Sequence, residues 1–346
     1  MKRRQLLSTT LAATGLATIA GCSGTGDLDG DDGQFPSHDV PGYARWVPEA
    51  SRGTETGTFF AHLDWTALEE LEGDDPRTDD ETEALLEEAP ILGLPMYGGL
   101  IAPFAAFGIM FYPFSGDILP EDGQDIDGIA TDSVTWTENV LVFHGTYDPE
   151  LFVAQYSEEF EQADERNGYT VYVTPEELAY AVSEDAVVVA IQSGDDGYRP
   201  KAVVEDALER RLDEVDRTVD TDDGRWLFET TGDAAMAFGV WNVESFDDAL
   251  EPAEEIDAGD EPGVDLDAGG NPVLGDLEGF VATLVVDAED GELLETEARF
   301  SGLYPEDSVP AESMVRDHLV GEDVSHEIAL EGNRVHASAT FEELPS

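Results

Sequence analysis

The sequence predicts an α+β fold of antiparallel sheets covered on one face by helices, and three observations lead there. Phe280, Ala282, Leu284 and Val286 alternate with polar neighbours, and Leu294, Thr296, Ala298 and Phe300 alternate back; period two marks strands with one buried and one wet face. Short turns rich in Gly, Asp and Asn, Ala288-Glu289-Asp290-Gly291 and Glu331-Gly332-Asn333, reverse the chain between such runs. Helical patterns interleave with the strands instead of alternating with them one to one, which is the order of an α+β chain.

Along the chain, Thr58 to Asp64 reads as a strand, followed by a helical stretch through Trp65, Leu68 and Leu71 and another at Ala84 to Glu87. Val140-Leu141-Val142-Phe143 is a buried strand. Asp148-Pro149-Glu150 then opens a helix with a capping acid and a proline at its first position, and Phe152, Tyr156 and Phe160 form its apolar face. Tyr169 to Val173 is a strand. Leu178 to Val182 and Val187 to Ile191 form a hairpin around Ser183-Glu184-Asp185, although Thr174-Pro175-Glu176-Glu177 equally fits the cap of a short helix. Pro200 to Asp213 is a helix with Val204, Leu208 and Leu212 inward and Asp206 paired with Arg210 outward. Ala234 to Trp241 is a strand, and a helix near Ala311 to Val320 precedes a last hairpin, Val324 to Leu330 with Val335 to Phe341.

The acidic, Gly/Pro-rich stretch 246–275 separates a first α+β unit, 58–245, from a C-terminal ββαββ unit, 276–346. The repeated order of elements raises two units of related design, though no repeat of fixed period is readable.

The N-terminus carries an export signal. Lys2, Arg3 and Arg4 are followed by an uncharged run from Gln5 to Ala20, and Ile19-Ala20-Gly21-Cys22 closes it with small residues before the single cysteine. Arg3 and Arg4 form a twin-arginine pair, and the ending resembles a lipobox in which Cys22 is lipidated and becomes the mature N-terminus. The apolar part falls short of the roughly 20 residues that span a bilayer. Residues 1–22 are therefore expected to be a signal peptide and 23–57 an acidic tether, flexible over the Gly/Asp-rich start from Ser23 to Gly33. With one cysteine, no internal disulfide staples the fold.

Sixteen basic residues against 79 acidic ones give a net charge of −63, and Lys201 is the only lysine after Lys2. Acids are spread over the whole length instead of gathered in a tail. Such a surface repels itself unless salt screens it, and the Debye length falls from about 30 Å at 0.01 M to about 3 Å at 1 M. A nucleic-acid partner is excluded by the lack of a basic footprint. The acidic excess, the near-absence of lysine, the twin arginines and the lipobox together resemble the secreted lipoproteins of halophilic archaea. That resemblance implies a lipid on Cys22 and a place on the extracytoplasmic face of the cell membrane.

The charge-free run from Ile91 to Phe114 is long enough to cross a bilayer, but three prolines and four glycines interrupt it. A buried insertion, a surface patch that docks on lipid or an apolar partner, and a span all fit, and the patch is the leading functional reading. Asp265, Asp267, Asn271 and Asp276 stand at positions 1, 3, 7 and 12 of a calcium-type loop with Gly270 at position 6. Gly269 at position 5, Asp for Glu at position 12 and the missing flanking helices make that match one that an acid-rich chain produces by chance, so no metal site is predicted.

His62 and Asp64 share one strand face and His144 stands near Asp148, but no third ligand is indicated for zinc. These histidines read as surface or edge residues, and His336, on the polar face of the last hairpin with Ser338 and Thr340, reads as solvated. No Gly-x-Ser-x-Gly elbow, phosphate loop or dinucleotide fingerprint is present, so neither catalytic residues nor a cofactor are predicted. The expected role is binding or envelope structure, with an extracytoplasmic hydrolase built from distant Asp, Glu and His as the alternative.

Overall fold

The computed structural model describes residues 35–49, 58–69, 89–96, 128–137, 140–151, 161–173, 179–190, 199–212, 215–241, 271–289, 292–321 and 324–341. Its strands are β1 (Thr58–Asp64), β2 (Ile129–Thr137), β3 (Val140–Tyr147), β4 (Glu161–Arg166), β5 (Tyr169–Val173), β6 (Ala179–Val182), β7 (Ala186–Ala190), β8 (Met236–Trp241), β9 (Gly279–Glu289), β10 (Glu292–Leu303), β11 (Ser325–Glu331) and β12 (Arg334–Phe341). The helices are α1 (Trp65–Glu69), α2 (Pro90–Met96), α3 (Pro200–Arg211), α4 (Asp222–Thr231) and α5 (Glu312–Val315), the last continued by a wider turn over Arg316–Val320. The fold is a mostly antiparallel sheet with helices, broadly α+β, as the sequence predicts.

The twelve strands of the described residues join one sheet in the order β11-β12-β10-β9-β8-β1-β2-β3-β7-β6-β5-β4. Every pairing is antiparallel. Strands β1 and β8, far apart in sequence, meet in the middle with Phe60 opposite Gly239. The outermost strand β4 is charged and exposed, and among the described residues only β5 pairs with it.

Successive residues on a strand point to opposite faces, and on the central strands both faces are buried. On one face Ala61, Leu63, Phe143, Phe280 and Phe300 pack with Ile91, Leu92 and Leu94 of α2 and with Val315, Leu319 and Val320. On the other, α3 lays Val204, Ala207 and Leu208 on Val142 and Val188. Beside it, α4 lays Leu227 and Phe228 on Phe60, Ala237 and Val281. Alternation points to helices on one face only; the second face is polar on β2, with Ser133, Thr135 and Thr137, but Phe60, Val142, Val188 and Val281 on its neighbours give α3 and α4 an apolar seat.

Strands β2 and β4, helix α4 and the 3₁₀ turn Gly42–Trp46 were not expected. Residues 35–49, assigned by composition to the tether, lie on the second face with Tyr43, Ala44, Trp46 and Val47 buried. They are held there by the His38 N–H, which donates to the Glu229 carbonyl at 2.7 Å. Helix α4 starts where the Thr221 hydroxyl accepts from the Gly224 N–H at 3.0 Å and stops at Gly232, whose φ of 70° suits glycine.

The apolar run begins as α2, with Ile91 and Leu92 inaccessible, so that part is core and not a docking patch. Residues 97–114, its remainder, lie outside the described residues, as do 1–34, with Arg3, Arg4 and Cys22, and 242–270, with Asp265. Of the calcium-type loop, the Asn271 side chain is engaged in a turn: its amide donates to the His318 carbonyl at 2.9 Å and its oxygen accepts from the Val273 N–H. No described helix is long and apolar enough to cross a membrane.

Candidate functional site

Between the α3 and α4 covers, the second face of the sheet opens into a cleft of about 260 Å³ where β1 ends beside β2 and β3. Its floor is His62 from β1, Ser133 from β2 and His144 from β3. Register brings them together: His62 lies opposite Thr135, and His144 lies opposite Ser133, diagonal to Thr135. The 3₁₀ turn supplies aromatic walls. Tyr43 stacks on the His62 ring with centroids 4.3 Å apart, and Trp46 meets the His144 ring edge-on at 6.0 Å.

The two imidazoles share one hydroxyl. His62 Nδ1 is 2.9 Å and His144 Nε2 is 3.1 Å from Thr135 Oγ1. A hydroxyl has one proton to give, so Thr135 can donate to only one of the two rings and at least one ring must present its N–H to the oxygen, which restricts the tautomers of the pair. Burial pushes His62 down to about 3, with the neighbouring His144 acting in the same direction. Burial and then Arg211 push His144 down to about 4, against an opposing pull from Asp185. Both rings are neutral at neutral pH.

Charge enters at the rim. Asp64 ends β1 and Asp233 follows α4, and the backbone N–H of Asp64 donates to the Ala235 carbonyl at 2.8 Å. Burial holds the Asp233 carboxyl above its ordinary range, and the Asp64 charge adds to that. On the far side stand Asp185, from the β6–β7 turn, and Arg211, the last residue of α3. The Arg211 guanidinium lies 6.0 Å from the Trp46 ring centre. Tyr169, Asp185 and Arg211 also line a second lobe of about 470 Å³ that continues past Asn167, Ser183 and Glu184.

His62 and Asp64 thus do share a face, and that face lines the cleft. The expectation that the histidines are surface residues is corrected: His62 is 5% exposed and His336 3%. His336 Nδ1 is 3.0 Å from the Ser301 hydroxyl; on the polar side of β12 His336 is buried, whereas Ser338 and Thr340 are half-buried. Asp148 does not join His144 at a site; its carboxylate accepts from the Glu150 and Leu151 N–H groups and caps the turn there. Thr135, Ser133, Tyr43, Trp46, Asp185, Arg211 and Asp233 were not singled out by sequence. Among the described residues no group of three or more His, Cys, Asp or Glu is arranged to hold a metal ion.

No protein-family model matches the chain, and neither does any curated protein. Solved structures with partial likeness are crystal forms of TP0453. Form III has a TM-score of 0.35 and 10% identity over 87% of this chain and 94% of that one. Form IV has a TM-score of 0.36 and 11% identity over 88% and 94%. At those scores the likeness carries no argument about function.

Proposed function

We propose that the chain is a membrane-anchored lipoprotein on the extracytoplasmic face that binds a small polar molecule in the cleft over His62 and His144. The observation that carries the binding half is the shared Thr135 hydroxyl: it fixes two neutral imidazoles beside aromatic walls and charged rims, a concave site with a few convergent polar groups. The anchoring half rests on the export signal ending at Cys22. Residues 97–114 continue the apolar run and remain the segment assigned to lipid or an apolar partner.

We read the sheet as two related halves meeting at β1 and β8. In one, β1, β2 and β3 are followed by later strands of which β7 returns beside β3; in the other, β8, β9 and β10 are followed by α5 and by β12, which returns beside β10. The cleft lies in the first half, close to the join.

Two measurements test the proposal. Cell fractionation should find the native chain in the membrane fraction and Cys22→Ser in the medium; retention of the variant in the membrane removes the anchoring half. A defined panel of sugars, nucleosides, amino acids and amines should contain a member that raises the melting temperature of the native chain but not of Ser133→Trp, which fills the cleft. If no panel member acts at millimolar concentration, the binding half fails.

The enzymatic reading has one observation in its favour, that Ser133 stands opposite His144 in register and lines the same cleft. The His144 Nε2, however, is engaged by Thr135. Turnover of ester substrates, lost in Ser133→Ala, would favour a hydrolase over a binding protein.

A further inference from the structure

We propose that the ligand of this cleft is a small zwitterion, an amine joined to a carboxylate by a short chain, with its ammonium group between Asp64 and Asp233 and its carboxylate on Arg211. This inference rests on the binding reading above and specifies its ligand.

The cleft sorts its charges by position. Asp64 and Asp233 come from the adjoining ends of β1 and the α4–β8 connection, and no described basic residue forms an ion pair with either. The Asp64 carboxylate is turned locally, accepting from the Thr66 N–H and hydroxyl at 2.9 and 2.7 Å and from the Ala67 N–H at 3.2 Å. That of Asp233 accepts from the Ala234 N–H at 3.2 Å. Each of these oxygens takes neutral donors, so the negative charge of the pair is left for a cation from outside.

Arg211 supplies the opposite end. It is half-buried and makes no ion pair or side-chain hydrogen bond with a described residue. Arg166, Arg217, Arg299, Arg316 and Arg334 are also half-buried, and each reaches a carboxylate. In a chain with 79 acids and 16 basic residues a guanidinium meets carboxylates on almost every side, so one held off them, over Trp46 and at the junction of two lobes, is unusual. Asp185 shares the cleft and, like the acidic pair, takes a neutral donor, its Oδ1 accepting from the Ser183 hydroxyl at 2.6 Å; it forms no ion pair with Arg211. A planar fork of donors kept clear of partners suits an incoming carboxylate.

The neutral histidines fit the same ligand. Charged imidazoles would repel the ammonium end and reverse the sign of the floor; neutral ones leave the acidic end and Arg211 as the two poles. Tyr43 and Trp46 offer aromatic surface to the methylene chain between them.

The test uses the full chain in molar potassium chloride, with tryptophan fluorescence and melting temperature as readouts. Glycine, β-alanine and γ-aminobutyrate are the zwitterionic probes; methylamine and propylamine carry the cation alone, acetate and butyrate the acid alone. At least one zwitterion should bind about tenfold more tightly than either single-charge counterpart. Arg211→Gln, which breaks no ion pair among the described residues, should bring that zwitterion down to the affinity of the amine, and Asp233→Asn should weaken zwitterion and amine alike. Equal affinity for amines and zwitterions, tighter binding of the acids, or an Arg211→Gln chain that keeps the full preference would each overturn the proposal. So would binding of a sugar or nucleoside with no response to any zwitterion, which spares the binding reading. Zwitterion binding that persists in Ser133→Trp overturns both.

Discussion

His62 and His144, 82 residues apart in sequence by the difference of their numbers, are joined through a single oxygen, with Thr135 Oγ1 2.9 Å from one ring and 3.1 Å from the other. Removing that oxygen while keeping its shape leaves one buried and one partly buried ring nitrogen without this partner, and an unsatisfied buried polar group costs about 1–3 kcal/mol. Thr135→Val is therefore expected to destabilise the chain by about 2–4 kcal/mol, and Thr135→Ser, which keeps the hydroxyl, by about 1 kcal/mol. Chemical denaturation in molar salt measures both. A Val variant no less stable than the Ser variant would mean that the bridge contributes nothing.

Salt sets the range in which any such measurement is possible. With a net charge of −63 the folded chain concentrates repulsion that the unfolded chain spreads out. As the Debye length falls from about 30 Å at 0.01 M to about 3 Å at 1 M, that repulsion is screened. The melting temperature is expected to rise steeply with potassium chloride up to about 1 M. A melting temperature that is flat across this range in circular dichroism would remove the case for salt adaptation.

The sheet was legible where a strand has one plainly apolar side and a turn beside it. Strands β1, β5, β9, β10, β11 and β12 were found that way, and in α3 the inward Val204 and Leu208 were found from their spacing. Strand β2 was not, because Ser133, Thr135 and Thr137 make its second face polar, and only α3, α4 and the 3₁₀ turn turn that face into an interior. The cleft was missed for the same reason. A histidine on the polar side of a strand looks solvated unless something non-local covers it, and the register uniting residues 62, 135 and 144 is a property of three paired strands. Helix α4 is a different case: Thr221, the acids of its first turn and Gly232 mark its start and stop in the sequence itself.

His336 gives a pH dependence whose sign is set by burial, which lowers it from 6.5 to about 3, with Arg299 and then His38 acting in the same direction. Between those values the unfolded chain binds the proton and the folded chain does not, so this contribution to stability is complete above about pH 6.5 and is lost as the pH falls toward 3. The loss is about 1.4 kcal/mol per pH unit. Protonation of the many surface carboxylates acts the other way by relieving repulsion, so the comparison must be between proteins. His336→Gln should flatten the fall in unfolding free energy between pH 6 and pH 4 by about 1.4 kcal/mol per unit relative to the native chain. Parallel curves for the two proteins would show that His336 is not buried in its neutral form.

The strap that carries Tyr43 and Trp46 into the cleft depends on a residue outside it. Gly232 has a φ of 70° and ψ of −165°, a region that is costly for any residue with a Cβ, and a Cβ there would stand 2.9–3.1 Å from atoms of the His38 side chain. Its carbonyl also accepts from the Tyr43 hydroxyl at 3.2 Å. Gly168, with a φ of 91° in the β4–β5 turn, has nothing within 4 Å of its missing Cβ. Alanine at 168 therefore adds backbone strain alone, about 1–3 kcal/mol, whereas alanine at 232 adds strain of that kind and displaces the strap. Gly232→Ala is expected to cost more than Gly168→Ala in chemical denaturation and to expose residues 35–49 to limited proteolysis, which Gly168→Ala should not do. Protection of the strap in both variants would mean that its seat does not depend on the His38–Gly232 contact.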